Sequence, residues 1–254
     1  MAGEFFARFN LHNSVASFPV KADLFAKLLD LPEEELQRHI DEFEEVQARR
    51  AEKLKNKYGD KIDLIRGKKT VFFGDSISSD NLGYRIAVTQ AAELNAVNRT
   101  VSGATSAVLL QDSWEILEKN RPEIVSLMMG ANDSPMQGDE RLSQVSLTEY
   151  ERNVSALVRW SKNLGAKVLL FEVTPVNEER FAAAFTKQKK YQTNKNIEQY
   201  NAVLRGIAEK YDIELFSNQW ILEDIDRYFE PDGIHLSVDG QDIFADKWLS
   251  ATLK

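Results

Sequence analysis

The chain has 254 residues, with 32 Lys and Arg against 40 Asp and Glu, and 43% of its residues are hydrophobic. A formal charge of -8 argues against nucleic acid or an anionic membrane as the main partner, because neither polyanion is neutralised by such a surface. The lack of any cysteine excludes disulfides, thiolate catalysis and Cys-based structural zinc sites. The length suits one domain with an appendage.

The first ten residues lack the basic start and the run of about 7–15 apolar residues of a secretory signal. No later stretch is long and apolar enough to span a bilayer, so a cytoplasmic protein without integral membrane association is expected. Residues 21–66 are rich in charge. Pro32 suits a first helical turn, Glu33, Glu34 and Glu35 suit its dipole, and Gly59 supplies a stop. Between them Leu36, Ile40, Phe43, Val46, Leu54 and Tyr58 recur at mostly helical spacing, which predicts one amphipathic helix of about 25 residues. Residues 1–66 therefore read as an N-terminal helical extension. It packs on the main domain or, as the alternative, on a second subunit in a homo-oligomer.

After Gly67 short β-rich runs alternate with longer helical ones, the signature of a parallel sheet covered on both faces. The runs lie at 70–73, 96–98, 124–129, 168–173 and 213–216, with helical patterns near 83–94, 105–119, 148–164, 195–211 and 238–251. Residues 67–254 are expected to form a flavodoxin-like three-layer α/β/α sandwich around a five-stranded parallel sheet.

Ligands of such open sheets bind outside the carboxyl ends of the strands, so the residues that follow each strand are the informative ones. They are Gly74-Asp75-Ser76-Ile77, Ser102-Gly103-Ala104 and Gly130-Ala131-Asn132-Asp133, with Pro231-Asp232-Gly233-Ile234-His235 before the last helix. Serine becomes a useful nucleophile only when a base takes its proton, and histidine suits that task near neutral pH. Of the three histidines, His12 falls in the N-terminal tail and His39 on the polar side of the long helix, which leaves His235 for Ser76. Asp232 is placed to accept from the imidazole, fix its tautomer and stabilise the imidazolium. The Ser76 and Gly103 backbone N–H groups and the Asn132 carboxamide supply candidate donors for an oxyanion. Each block alone is an ordinary helix cap or turn. Their conjunction, in this order and at strand ends, carries the reading.

These four blocks resemble blocks I, II, III and V of the SGNH hydrolase superfamily, the GDSL-type serine esterases and lipases, across roughly residues 68–252. Ile77 stands where the first block usually has Leu. The resemblance implies a flavodoxin-like fold and hydrolysis through an acyl-serine intermediate, with no metal or organic cofactor. It assigns Ser76, Asp232 and His235 as catalytic residues and Ser76, Gly103 and Asn132 as the oxyanion hole.

The connection from Thr174 to Asn194 is longer than a compact domain needs. Its Phe181, Phe185 and Tyr191 are candidate substrate-binding residues in a lid or pocket wall; the alternative is a surface helix with a solvated basic face. The expected substrate is a short-chain ester, acetyl above all, of a small molecule or carbohydrate. The alternatives are a lysophospholipase or thioesterase, an acyltransferase, and a non-catalytic binding protein that uses the N-terminal helix. The phosphate-binding glycine motifs are missing after the first strand, and no carboxylates cluster with ligand-like spacing for a metal.

Overall fold

Lys69–Gly74 (β1) is buried from Thr70 onward, as an interior strand of a sheet covered on both faces must be. It is flanked by Asn95–Thr100 (β2) and Ile124–Met128 (β3). Two short strands follow, Met136–Gln137 (β4) and Leu142–Ser143 (β5), then Lys167–Phe171 (β6), Lys190–Tyr191 (β7) and Leu215–Phe216 (β8). In this computed structural model, which describes residues 8–9, 26–27 and 32–254, the five longer-range partners form one all-parallel sheet in the order β2-β1-β3-β6-β8. The five-stranded α/β sandwich expected from the sequence is the fold observed.

The helices are Glu33–Tyr58 (α1), Ser76–Ser79 (α2), Tyr84–Ala91 (α3), Ser106–Leu110 (α4), Ser113–Asn120 (α5), Leu147–Asn163 (α6), Glu178–Phe185 (α7), Asn194–Tyr211 (α8), Ile225–Tyr228 (α9) and Val238–Thr252 (α10). One layer packs α1 and α10 on α3, and the other packs α4, α5 and α8 on α6. Trp248 of α10 is fully buried against Phe72 and donates its indole N–H to Ser126 Oγ at 3.1 Å, which locks that layer to the centre of the sheet.

The long helix starts after Pro32 and ends at Gly59, as the sequence predicts. Its Ala51 and Leu54 join the main core, while Leu36 and Phe43 make a smaller cluster with Ala26 and Leu82. Its two buried polar residues face the loop beyond α2. Gln47 donates to the carbonyls of Asn81 and Gly83 at 2.8 and 3.1 Å, and Arg50 bonds the Leu82 carbonyl and Asp242. The apolar stripe of α1 is thus spent within its own chain. His39 departs from expectation: it lies half-buried beside Phe43, ring centroids 6.3 Å apart, because the smaller cluster widens the covered face. His12 and most of the first 31 residues of the expected extension lie outside the described residues.

Two further elements differ from their sequence reading. The helix predicted over 105–119 is two helices, because Asp112 leaves helical geometry at φ -119° and its carboxylate takes both oxygens to Arg99 Nε at 2.7 and 2.9 Å. The connection at 174–194 contains α7 and β7, and β7 pairs antiparallel with β4 in a small sheet ordered β5-β4-β7. Among the described residues, no helix is long and apolar enough to cross a membrane.

Candidate active site

Strand β1 delivers Ser76 to the carboxyl edge of the sheet. Asp75 caps α2 by accepting from the Ile77 N–H at 3.0 Å, and Ser76 opens that helix with its N–H among those that lack an intrahelical partner. Ser76 is only 6% exposed. Its Oγ lies 2.8 Å from His235 Nε2, and His235 Nδ1 lies 2.5 Å from Asp232 Oδ2. The other Asp232 oxygen accepts from the backbone N–H groups of Ile234 and His235, both at 3.0 Å. Burial alone would raise the Asp232 pKa, but the hydrogen bond and charge of His235 and the two backbone donors outweigh it and hold the carboxyl below its ordinary value. Asp232 is therefore an anion beside the ring, suited to fixing an Nδ1–H tautomer.

The turn that carries this pair is built from backbone. The Phe229–Leu236 bridge closes its base, the Gly233 N–H donates to the Glu230 carbonyl at 3.0 Å, and the Asn177 N–H donates to the Gly233 carbonyl at 2.9 Å. Gly233 has φ +73°, and a Cβ there would meet the Asn177 carbonyl and the Phe181 N–H at 2.6 Å, so no side chain fits. The start of α7 consequently buttresses the turn from behind.

Two of the oxyanion candidates lie on loops that are tethered to each other. Asn132 donates from Nδ2 to the Ala104 carbonyl at 3.2 Å, which ties its loop to the turn that holds Gly103 at φ +76°. A carboxamide nitrogen has a second N–H to offer. The next residue, Asp133, points inward and accepts from the Ser106 N–H at 2.9 Å and from Ser106 Oγ at 2.5 Å, capping α4 from across the sheet edge. Burial pushes Asp133 up to about 6, partly offset by the Ser106 donors. Gly130, at φ +127°, lets this loop pass, since a Cβ would lie 2.5 Å from Val173 Cγ2 and 2.9 Å from Tyr150 Oη.

Of the aromatic residues at 174–194, Phe181 is 1% exposed and meets Phe185 in a tilted contact with centroids 4.7 Å apart, and Tyr191 is half-buried under the Arg141 guanidinium at 4.6 Å. Phe181 and Tyr191 line a cavity of about 190 Å³ with Met136, Arg141, Lys190 and Thr193; Phe185 is not among its walls. The segment is pinned to the Asn132 loop by Gln192, which donates to Ser134 Oγ at 2.5 Å, and by Asn196, which bonds the Ser134 carbonyl. Sequence reasoning passed over Arg8 and Phe9 altogether: the Phe9 ring lies 4.1 Å from the imidazole of His235. A two-residue feature in a tail carries no periodicity that would single it out. Among the described residues, no three His, Asp or Glu side chains are grouped to hold a metal ion.

The model of the GDSL-like lipase/acylhydrolase family matches residues 72–243. The acetylxylan esterase of Geobacillus stearothermophilus is 26% identical over 212 residues, covering 72% of this chain and 93% of that protein. The isoamyl acetate-hydrolyzing esterase 1 homolog of Homo sapiens is 22% identical over 197 residues, covering 71% of this chain and 79% of that one. A solved structure of a catalytic mutant of the Geobacillus stearothermophilus enzyme superposes with a TM-score of 0.59 at 24% identity, over 74% of this chain and 95% of that one.

Proposed function

Because the chain belongs to the GDSL-like lipase/acylhydrolase family and is a carboxylic ester hydrolase, we propose that it cleaves short-chain acyl esters, acetyl above all, of a small molecule or carbohydrate. The observation that carries the chemistry is the unbroken line from Ser76 Oγ through His235 to Asp232, with contacts of 2.8 and 2.5 Å. His235 Nε2 takes the hydroxyl proton as Oγ attacks the ester carbonyl, and Asp232 stabilises the imidazolium that results. The N–H groups of Ser76 and Gly103 and the Asn132 carboxamide receive the oxyanion. His235 then protonates the leaving alcohol, and water repeats the cycle to release the acid.

The acetyl preference is supported by the two relatives, whose names both specify acetate esters. In this reading residues 67–254 are the hydrolase domain and 1–66 an addition to it, in keeping with a family match that begins at residue 72. The cavity bordered by Phe181 and Tyr191 is the proposed substrate wall, with Phe185 backing Phe181.

Turnover of p-nitrophenyl acetate, butyrate and octanoate by wild type and Ser76→Ala tests the proposal. The expected result is fastest turnover of the acetate, a fall of at least about 10³ in the mutant, and a single fluorophosphonate adduct on wild-type Ser76. A rate maximum at octanoate would replace the short-chain reading with a lysophospholipase or thioesterase, and no adduct would sink the mechanism.

A further inference from the structure

His235 is held at its two nitrogens, by Asp232 and by Ser76. Both bonds act at the ring edge, so neither opposes a rocking rotation about the axis that joins them. The face of the ring is covered by Phe9, 1% exposed, with centroids 4.1 Å apart and planes inclined by 33°. Resting on the esterase reading above, we propose that Phe9 is a positioning residue that stops this rocking and keeps Nε2 aimed at the reacting oxygens.

The placement of Phe9 is built in. Arg8 Nε and Nη2 each meet an oxygen of the fully buried Asp80 at 2.8 Å, Nη2 also donates to the Leu236 carbonyl at 2.9 Å, and Nη1 pairs with Glu230. The Asn81 N–H donates to the Arg8 carbonyl at 2.8 Å, and Ser79 Oγ donates to the Phe9 carbonyl at 3.2 Å. These anchors come from two sources: the stretch just after Ser76, and the two sides of the turn that bears His235. Arg8 and Phe9 thus join the nucleophile element to the base element. They lie outside the residues that match the family. The Arg8 guanidinium also lies over the Phe9 ring, 4.9 Å from its centroid, so Arg8 holds the phenyl group as well as the backbone that carries it.

The test compares wild type, Phe9→Ala, Phe9→Leu and Phe9→Tyr on p-nitrophenyl acetate and on ethyl acetate, with thermal unfolding of each. Nitrophenolate departs without a proton, whereas ethoxide needs one from His235, so a loosened imidazole harms the second ester more. For Phe9→Ala we expect kcat on p-nitrophenyl acetate to fall about ten- to a hundredfold with KM nearly unchanged, and a larger fall on ethyl acetate. Tyr restores most of the loss. Leu, which fills the socket without a π face, keeps the fold and recovers only part of it, so it decides the matter if Ala unfolds. Folded variants with wild-type kcat, or equal losses on both esters, would overturn the role of Phe9 alone. A wild type with neither turnover nor a fluorophosphonate adduct would overturn the esterase reading and this inference with it.

Discussion

Asp75 is as deeply buried as Ser76, the proposed nucleophile, and burial pushes its carboxyl up to about 6 against partial relief from the Ile77 N–H and from His235. The folded chain therefore binds this proton at higher pH than the unfolded chain, whose carboxyl keeps its ordinary value of 3.8. The stabilisation is complete below that value and is lost as pH rises through about 6. Asp232 has the opposite sign: its pKa is depressed, so its contribution is present above the ordinary value and is lost only as pH falls through the lower, folded one. Asparagine at position 75 keeps the acceptor for Ile77 and removes the titration. On going from about pH 7.5 to about pH 5, wild type should gain on the order of 1 kcal/mol relative to Asp75→Asn in urea unfolding. A difference that stays flat with pH would show that Asp75 does not titrate there. At this scale the sequence singled out Ser76, Asp232 and His235, which the fold brings into contact, because the residue types that can serve as nucleophile and base form a short list. Nothing comparable marked Arg8 and Phe9, whose relevance comes only from what they touch.

Among the elements, α7 and β7 both border the proposed substrate cavity, but they differ in how far their aromatic residues serve the core. Phe181 sits on the inner face of α7 and is part of the main core, so Phe181→Ala is expected to cost about 3–5 kcal/mol of stability. Tyr191 lies half-buried in a two-residue strand at the cavity. Tyr191→Ala should leave the melting temperature nearly unchanged and shift the relative rates across an ester panel; unchanged ratios would remove this segment from substrate selection. The pattern of the long helices and of β1, β3 and β6 could be read from periodicity, since each spans enough residues to repeat it. Strands β4, β5 and β7 have two residues apiece, too few to show an alternation. Only the antiparallel pairing of Met136 with Ser143 and with Tyr191 defines them.

Over the whole molecule, α1 and the sheet share one core: Ala51 and Leu54 belong to the same buried cluster as Val71, Phe72 and Trp248. A helix so placed cannot leave without exposing that core, and unfolding should be a single transition in which tryptophan fluorescence and far-UV circular dichroism coincide. Two separated transitions would mean that α1 detaches independently. The sequence by itself determined the alternation of strands and helices, the parallel sheet, the extent of α1, the strand-end positions of Ser76, Gly103 and Asn132, and the place of His235 in the turn before α10. Those are consequences of local periodicity and of turn chemistry, which act over a few residues. Only the tertiary structure decided that Ser76 and His235, 159 residues apart in the chain, close to 2.8 Å, that α7 supports the Gly233 turn, and that Phe9 covers the imidazole. Such contacts depend on how distant elements pack, and local patterns do not encode them.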